Sequence, residues 1–170
     1  MEGDDNMTYN HLEDTIKKLY LKIGVKDVND LDAITIAERL NFSVYDIDGI
    51  CKYIDSHKTF YLSRRISHQE RWQNFGHELC HALWHAGSQL NMKIEWREYQ
   101  EWKANNFAYE ACVPRFILEK LLNENPTLNP VYLIADRFGV TFKFAETRYI
   151  LHCIRKSQYE NEMFRMANVY

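Results

Sequence analysis

Several things are missing from this sequence, and each absence narrows the field. No apolar run approaches the ~20 residues that span a bilayer. The first ten residues, MEGDDNMTYN, are acidic and lack the basic and apolar regions of a signal peptide, so residues 1–7 read as a disordered leader. The four cysteines, at 51, 80, 112 and 153, include no C-x-x-C pair. That pattern suits free thiols in a reducing cytoplasm rather than a disulfide framework. There is no basic excess either. The net charge of −3 gives no global field to draw the chain to nucleic acid or an anionic membrane. No internal repeat or low-complexity tract interrupts the chain. No lysine occurs between Lys58 and Lys93, the stretch where the chemistry concentrates.

What is present is enough apolar material for one core: 170 residues, 46% of them hydrophobic. Within the lysine-free stretch lies His77-Glu78-Leu79-Cys80-His81, an H-E-x-x-H. Residues four apart share a helix face, so His77 and His81 can offer two imidazole nitrogens to one metal, with Glu78 placed to take a proton from water. A helix is expected here. Ser67 and Glu70 form an S-x-x-E capping box at its start, and Gly87 is a suitable C-terminal stop. At about 100° per residue, Trp72, Phe75, Leu79, Leu83 and Ala86 fall on one side. Asn74, His77, His81 and His85 fall on the other. Such a helix is packed on both sides, with histidines lining a cleft.

A catalytic zinc site uses three protein ligands and one open position. His85 lies about 12 Å along the axis from His77, too far to share its metal on a regular helix. Glu78 is needed as the base. Glu101, on a helix expected from Glu95 to Val113 and ended by Pro114, is the remaining candidate. Its face carries Ala104, Asn105, Ala108 and Cys112, small side chains that permit a close helix approach. Asn105 is placed to hydrogen-bond a metal ligand from behind. Spacing alone leaves Glu101 equally readable as a surface acid beside Glu95, Glu98 and Glu110.

Phe75-Gly76-His77-Glu78-Leu79-Cys80-His81-Ala82-Leu83-Trp84-His85, followed by Glu101-x-x-Ala104-Asn105-x-Phe107-Ala108 and then Pro114, resembles the ImmA/IrrE family of metallopeptidases. The likeness spans about residues 30 to 150. It implies one Zn²⁺ held by His77, His81 and Glu101, with Glu78 as general base. It also implies a regulatory endopeptidase whose partner is a helix-turn-helix repressor of phage or mobile-element type. An extended substrate would align along a sheet edge beside the metal. Two positions depart from the family: Gly76 stands where alanine is usual, and Cys80 replaces the glycine of H-E-x-G-H. Cys80 reads as a small core hydrophobe. For the group that stabilises the transition state, Tyr99, Tyr109, His85 and Arg97 compete.

The expected fold class is α+β: a mostly helical single domain with a small three-stranded antiparallel sheet and a zincin-like H-E-x-x-H helix. Thr8 to Ile23 and Asp32 to Leu40 read as helices, stopped at Gly24 and Asn41. Phe42 to Ile47, Ile50 to Ile54 and Thr59 to Ser63 read as strands of a meander, with Asp48-Gly49 as a hairpin turn. After Pro114 come helices at Arg115 to Asn123, at Pro130 to Phe138 behind the N-cap Asn129, and from Phe142 to about His152. The domain is expected over residues 8–152, with a loosely held tail over 153–170. Ala135, Gly139 and Ala145 have the spacing of a helix-turn-helix, the DNA-binding arrangement. Against that, residues 129–152 hold three basic residues (Arg137, Lys143, Arg148) and two acidic ones, too few cations for phosphate contacts. The competing reading of the whole chain is a metal-stabilised regulator, weak or inactive as an enzyme, that binds a transcription factor or DNA. A hydrolase or toxin acting on another substrate is a third.

Overall fold

The computed structural model describes residues 11–84 and 94–167. The leader, His85 and the Gly87 stop lie outside them. Among the described residues the chain forms seven α-helices and one three-stranded sheet, the expected α+β class.

Local chemistry sets most element ends. Helix α1 (His11–Lys22) gives way to Gly24 at φ +79°. Helix α2 (Ala33–Arg39) starts at Asp32, whose carboxylate accepts the Thr35 N–H, and stops at Asn41, φ 61°. Helix α3 (His68–Trp84) opens with the capping box: Glu70 N–H donates to Ser67 Oγ and Ser67 N–H to Glu70 Oε2. Helices α4 (Ile94–Cys112) and α5 (Arg115–Glu124) are separated by Pro114. Asn129 caps α6 (Pro130–Phe138) through the N–H groups of Val131 and Tyr132.

Two expectations are corrected. The sheet is mixed, not an antiparallel meander. Its order is β1 (Ser43–Ile47), β3 (Thr59–Ser63), β2 (Lys52–Ile54), with β1 parallel to β3 and β2 antiparallel to it. Asp48-Gly49 therefore joins strands that do not pair. The physical reason is burial. In β3, Phe60 and Leu62 are buried along with Thr59 and Ser63, so this strand takes the centre. The more exposed strands, carrying Tyr45 and Lys52, take the edges. The second correction concerns the last helix, α7, which does not end near His152 but runs from Phe142 to Ala167. No proline or glycine interrupts that stretch, and Arg155 anchors it to Glu13 of α1 at 2.7 Å.

The core is continuous across both layers. Phe60 of the sheet packs on Phe75 of α3 with ring centroids 5.0 Å apart, while Gly76 of α3 faces Ala108 and Cys112 of α4. The α3 helix is thus sandwiched, as its two-sided pattern anticipated. The buried Tyr20 hydroxyl donates to the Ala111 carbonyl at 2.8 Å, tying α1 to α4. Beneath α7 lies a buried ionic network. Glu110 pairs with Arg148 at 2.7 Å, and Glu13 pairs with Arg115 at 3.0 Å and Arg155 at 2.7 Å. Arg115 also reaches Glu119 at 2.6 Å. Three carboxylates against three guanidiniums leave the cluster neutral, the condition under which burying it is tolerable. No described helix is long and apolar enough to cross a membrane.

Candidate metal centre

The α3–α4 pair brings three ligand atoms together. His77 Nε2 lies 3.1 Å from His81 Nε2 and 3.2 Å from Glu101 Oε2, and His81 Nε2 lies 3.7 Å from Glu101 Oε1. One atom from each of the three falls within 4.8 Å of the other two, so the group can hold a metal ion. The site is reachable: the side chains of His77 and His81 are 20% and 14% exposed, that of Glu101 43%.

Second contacts fix the orientation. Asn105 Oδ1 sits 3.0 Å from His77 Nδ1. An amide oxygen only accepts, so Nδ1 carries the proton and the Nε2 lone pair is directed at the cluster. Asn105 is one turn beyond Glu101 on the same helix, as its spacing anticipated. Glu78 is half-buried and does not join the cluster of ligand atoms. Its Oε2 accepts the main-chain N–H of Tyr53, on strand β2, at 2.7 Å. Burial raises the Glu78 pKa, the Tyr53 N–H and His77 pull it back down, and Glu101 raises it.

These residues open onto a cleft of about 360 Å³ lined by Gln73, Asn74, His77, Glu78, Asn105 and Tyr109, with Phe144 of α7 as a further wall. Of the candidate transition-state donors, Tyr109 lines this cleft. Tyr99 instead lies on the exposed side of α4, stacked on Trp102 at 6.1 Å, and Arg97 is also exposed. His85 is not described. Cys80 is buried, its thiol pushed up to about 12 chiefly by desolvation, as suits a core position. Sequence reasoning missed three contributors. Tyr53 acts through its backbone, and Gln73 and Phe144 meet only because the turn before α7 docks on α3, where Thr141 N–H donates to Gln73 Oε1 at 2.7 Å.

An H-E-x-x-H helix laid against a small sheet, with a carboxylate supplied by the next helix, is an arrangement of the metallopeptidase type. The sequence agrees. Residues 31–149 match the IrrE N-terminal-like domain of the peptidase M78 family, and the chain belongs to that family. It is 36% identical over 149 residues to the phage-like element PBSX protein XkdA of Bacillus subtilis (strain 168), covering 86% of this chain and 75% of that protein. It is 29% identical over 155 residues to the uncharacterized protein YqaB of the same organism, covering 89% and 90%. Among solved structures it resembles a Mycobacterium tuberculosis transcriptional regulator, with a TM-score of 0.60 and 17% identity over 82% of this chain. The chain spans about half (55%) of that structure's length, and the likeness is one of fold.

Proposed function

We propose that this chain is a zinc-dependent endopeptidase in which His77, His81 and Glu101 hold one Zn²⁺ and Glu78 is the general base. The observation that carries the reading is the convergence of two imidazole nitrogens and one carboxylate, with Asn105 setting the tautomer of His77. The donor set fits zinc: two nitrogens and one oxygen, leaving room for a fourth position. Bound there, zinc supplies Lewis acidity, polarising a peptide carbonyl and making water nucleophilic near neutral pH.

The chain's own groups do the rest. Glu78 takes the proton of the attacking water and returns it to the leaving amine. Tyr109, reaching the same cleft, is the candidate donor to the developing oxyanion. Strand β2 is an edge of the sheet and runs beside Glu78, so an extended substrate adding there as a further strand would meet the Tyr53 N–H that Glu78 holds. The substrate we infer is a helix-turn-helix repressor in the cytoplasm, cut once. Support comes from a relative that belongs to a phage-like element.

Direct DNA binding by α6 and α7 loses support. Arg148, one of its three cations, is buried against Glu110, and Lys143 pairs with Glu146 at 3.2 Å. Metal content of the purified chain, paired with incubation against a repressor encoded beside it, tests the proposal. Glu78→Gln should keep zinc and lose cleavage, while His77→Ala, His81→Ala and Glu101→Ala should lose zinc. Normal metal binding by Glu101→Ala would defeat the ligand assignment. A regulatory effect that survives Glu78→Gln would favour the metal-stabilised binding protein instead.

A further inference from the structure

A second pocket, of about 300 Å³, lies between the α5–α6 connection and the middle of α7. It shares no lining residue with the metal cleft. Its size is at the small end of the range for ligand sites, roughly 300–1,000 Å³. Leu122, Pro126 and Leu128 give it an apolar wall, and His152, Cys153 and Lys156 give it a reactive and polar one. The last three lie beyond residue 149, where the match to the family ends.

His152 is the telling group. It is only 7% exposed, yet its ring nitrogens have no hydrogen-bond partner among the described residues. Among the described residues, the buried side-chain nitrogens and oxygens that are both sealed and unpartnered are Trp72 Nε1 and Arg148 Nη1, so the imidazole is not sealed. What it reaches is the pocket it lines. A nearly buried imidazole that lines an open cavity and bonds to no described residue keeps its hydrogen-bonding capacity for something that enters.

Charge says what. Lys156 is the one formally charged residue among those lining the pocket, and the Arg148 and Arg115 side chains stand behind His152. Those guanidiniums are already paired with Glu110, Glu13 and Glu119, so Lys156 is the charge that the pocket lining offers a ligand. Burial first, and then these cations, hold the His152 pKa down to about 4, so the ring is neutral at pH 7 and still offers one N–H. We propose that this pocket binds a small organic carboxylate, its charge paired with Lys156, one oxygen on the His152 imidazole and its carbon skeleton against Leu122 and Leu128. The site does not depend on the metal centre. Helix α7 serves both, presenting Phe144 to the cleft and His152 to the pocket about 12 Å further along its axis.

Sodium benzoate, benzyl alcohol and sodium phosphate, each titrated into the full chain at millimolar concentration, separate the contributions. The readout is the nuclear magnetic resonance signals of the His152 ring, assigned by their loss in His152→Gln. Benzoate should move these signals saturably and slow alkylation of Cys153, an exposed thiol, by iodoacetamide. Benzyl alcohol and phosphate should bind more weakly. Lys156→Met, an exposed substitution, should leave the fold intact and weaken benzoate about threefold to fivefold, the scale of an exposed ion pair. The proposal is overturned if benzoate leaves the His152 signals in place, if benzyl alcohol matches it, if phosphate matches it, or if Lys156→Met binds it unchanged.

Discussion

The main-chain N–H of Tyr53 donates to Glu78 Oε2 over 2.7 Å, so the acid of the H-E-x-x-H motif is tied to the free edge of the sheet. In an antiparallel pair, alternate residues direct their N–H and C=O groups toward the partner strand. Tyr53 stands opposite Phe60, and its N–H turns away from β3, leaving Lys52 and Ile54 to bond across the ladder. Tyr53→Pro therefore deletes the donor to Glu78 without removing a ladder bond, a substitution that edge strands tolerate. A hydrogen bond to a charged group is worth about 1.5–3 kcal/mol. We expect about a tenfold to hundredfold fall in cleavage rate with metal content unchanged, and little effect from Tyr53→Phe. A Tyr53→Pro chain that retains zinc and cuts at the parental rate would remove the N–H from the machinery.

Asn105 makes an independent prediction about affinity rather than rate. Its Oδ1, 3.0 Å from His77 Nδ1, selects the tautomer that leaves Nε2 free for a cation. Losing such a supporting contact typically costs about 10–100-fold in metal affinity. Asn105→Leu should show that loss in a competition titration with a zinc chelator, whereas Asn105→Asp, which keeps an acceptor, should hold zinc at least as tightly as the parent. Equal affinity in the leucine variant would mean that helix packing alone orients the ring.

Gly76 and Cys112 form a compensated pair across the α3–α4 contact. A Cβ built on Gly76 would stand 2.6 Å from Cys112 Sγ and 3.4 Å from the Ala108 Cα. The alanine usual in the family at this position is thus excluded here by the sulfur. Gly76→Ala should cost about 1–3 kcal/mol by overpacking. Adding Cys112→Ala removes the obstructing atom and should recover most of that, since alanine is otherwise favoured over glycine in a helix by about 0.5–1 kcal/mol. Urea denaturation of the two single variants and the double variant gives the coupling energy. A double variant no more stable than Gly76→Ala alone would show that the backbone of α4, not the sulfur, sets the spacing.

What lay within a single helix was legible and what crossed between elements was not, and the reason is range. His77, Glu78, His81, the Ser67–Glu70 cap and the small-residue face around Glu101 and Asn105 are all patterns within one helix, where spacing translates directly into geometry. The sheet order is different. Which strand occupies the centre depends on what covers Phe60 and Leu62, and Asp48-Gly49 carries no information about that. Glu110 reads as one surface acid among several on α4, and Arg148 as a cation available to phosphate. The two instead neutralise each other in the interior, 38 residues apart in sequence. The contact between Thr141 and Gln73, which brings Phe144 to the cleft, spans 68 residues and leaves no local trace.

His152 links the interior of α7 to pH. Burial, then Arg148, Arg115 and Lys156, lower its pKa from an ordinary 6.5 to about 4, with Glu13 acting the other way. The folded state thus resists a proton that the unfolded chain accepts. Above pH 6.5 the ring is neutral in both states and the term vanishes. As the pH falls from 6.5 toward 4 the unfolded chain binds the proton first, so stability is lost across that window, by about 2–3 kcal/mol in total at about 1.4 kcal/mol per unit. His152→Gln keeps a neutral polar side chain and removes the titration. The difference in unfolding free energy between parent and variant, measured in urea from pH 7.5 to 4.5, should therefore shift in the variant's favour as the medium is acidified. A difference that stays flat over that range would mean the imidazole takes up its proton as readily in the folded chain as in the unfolded one.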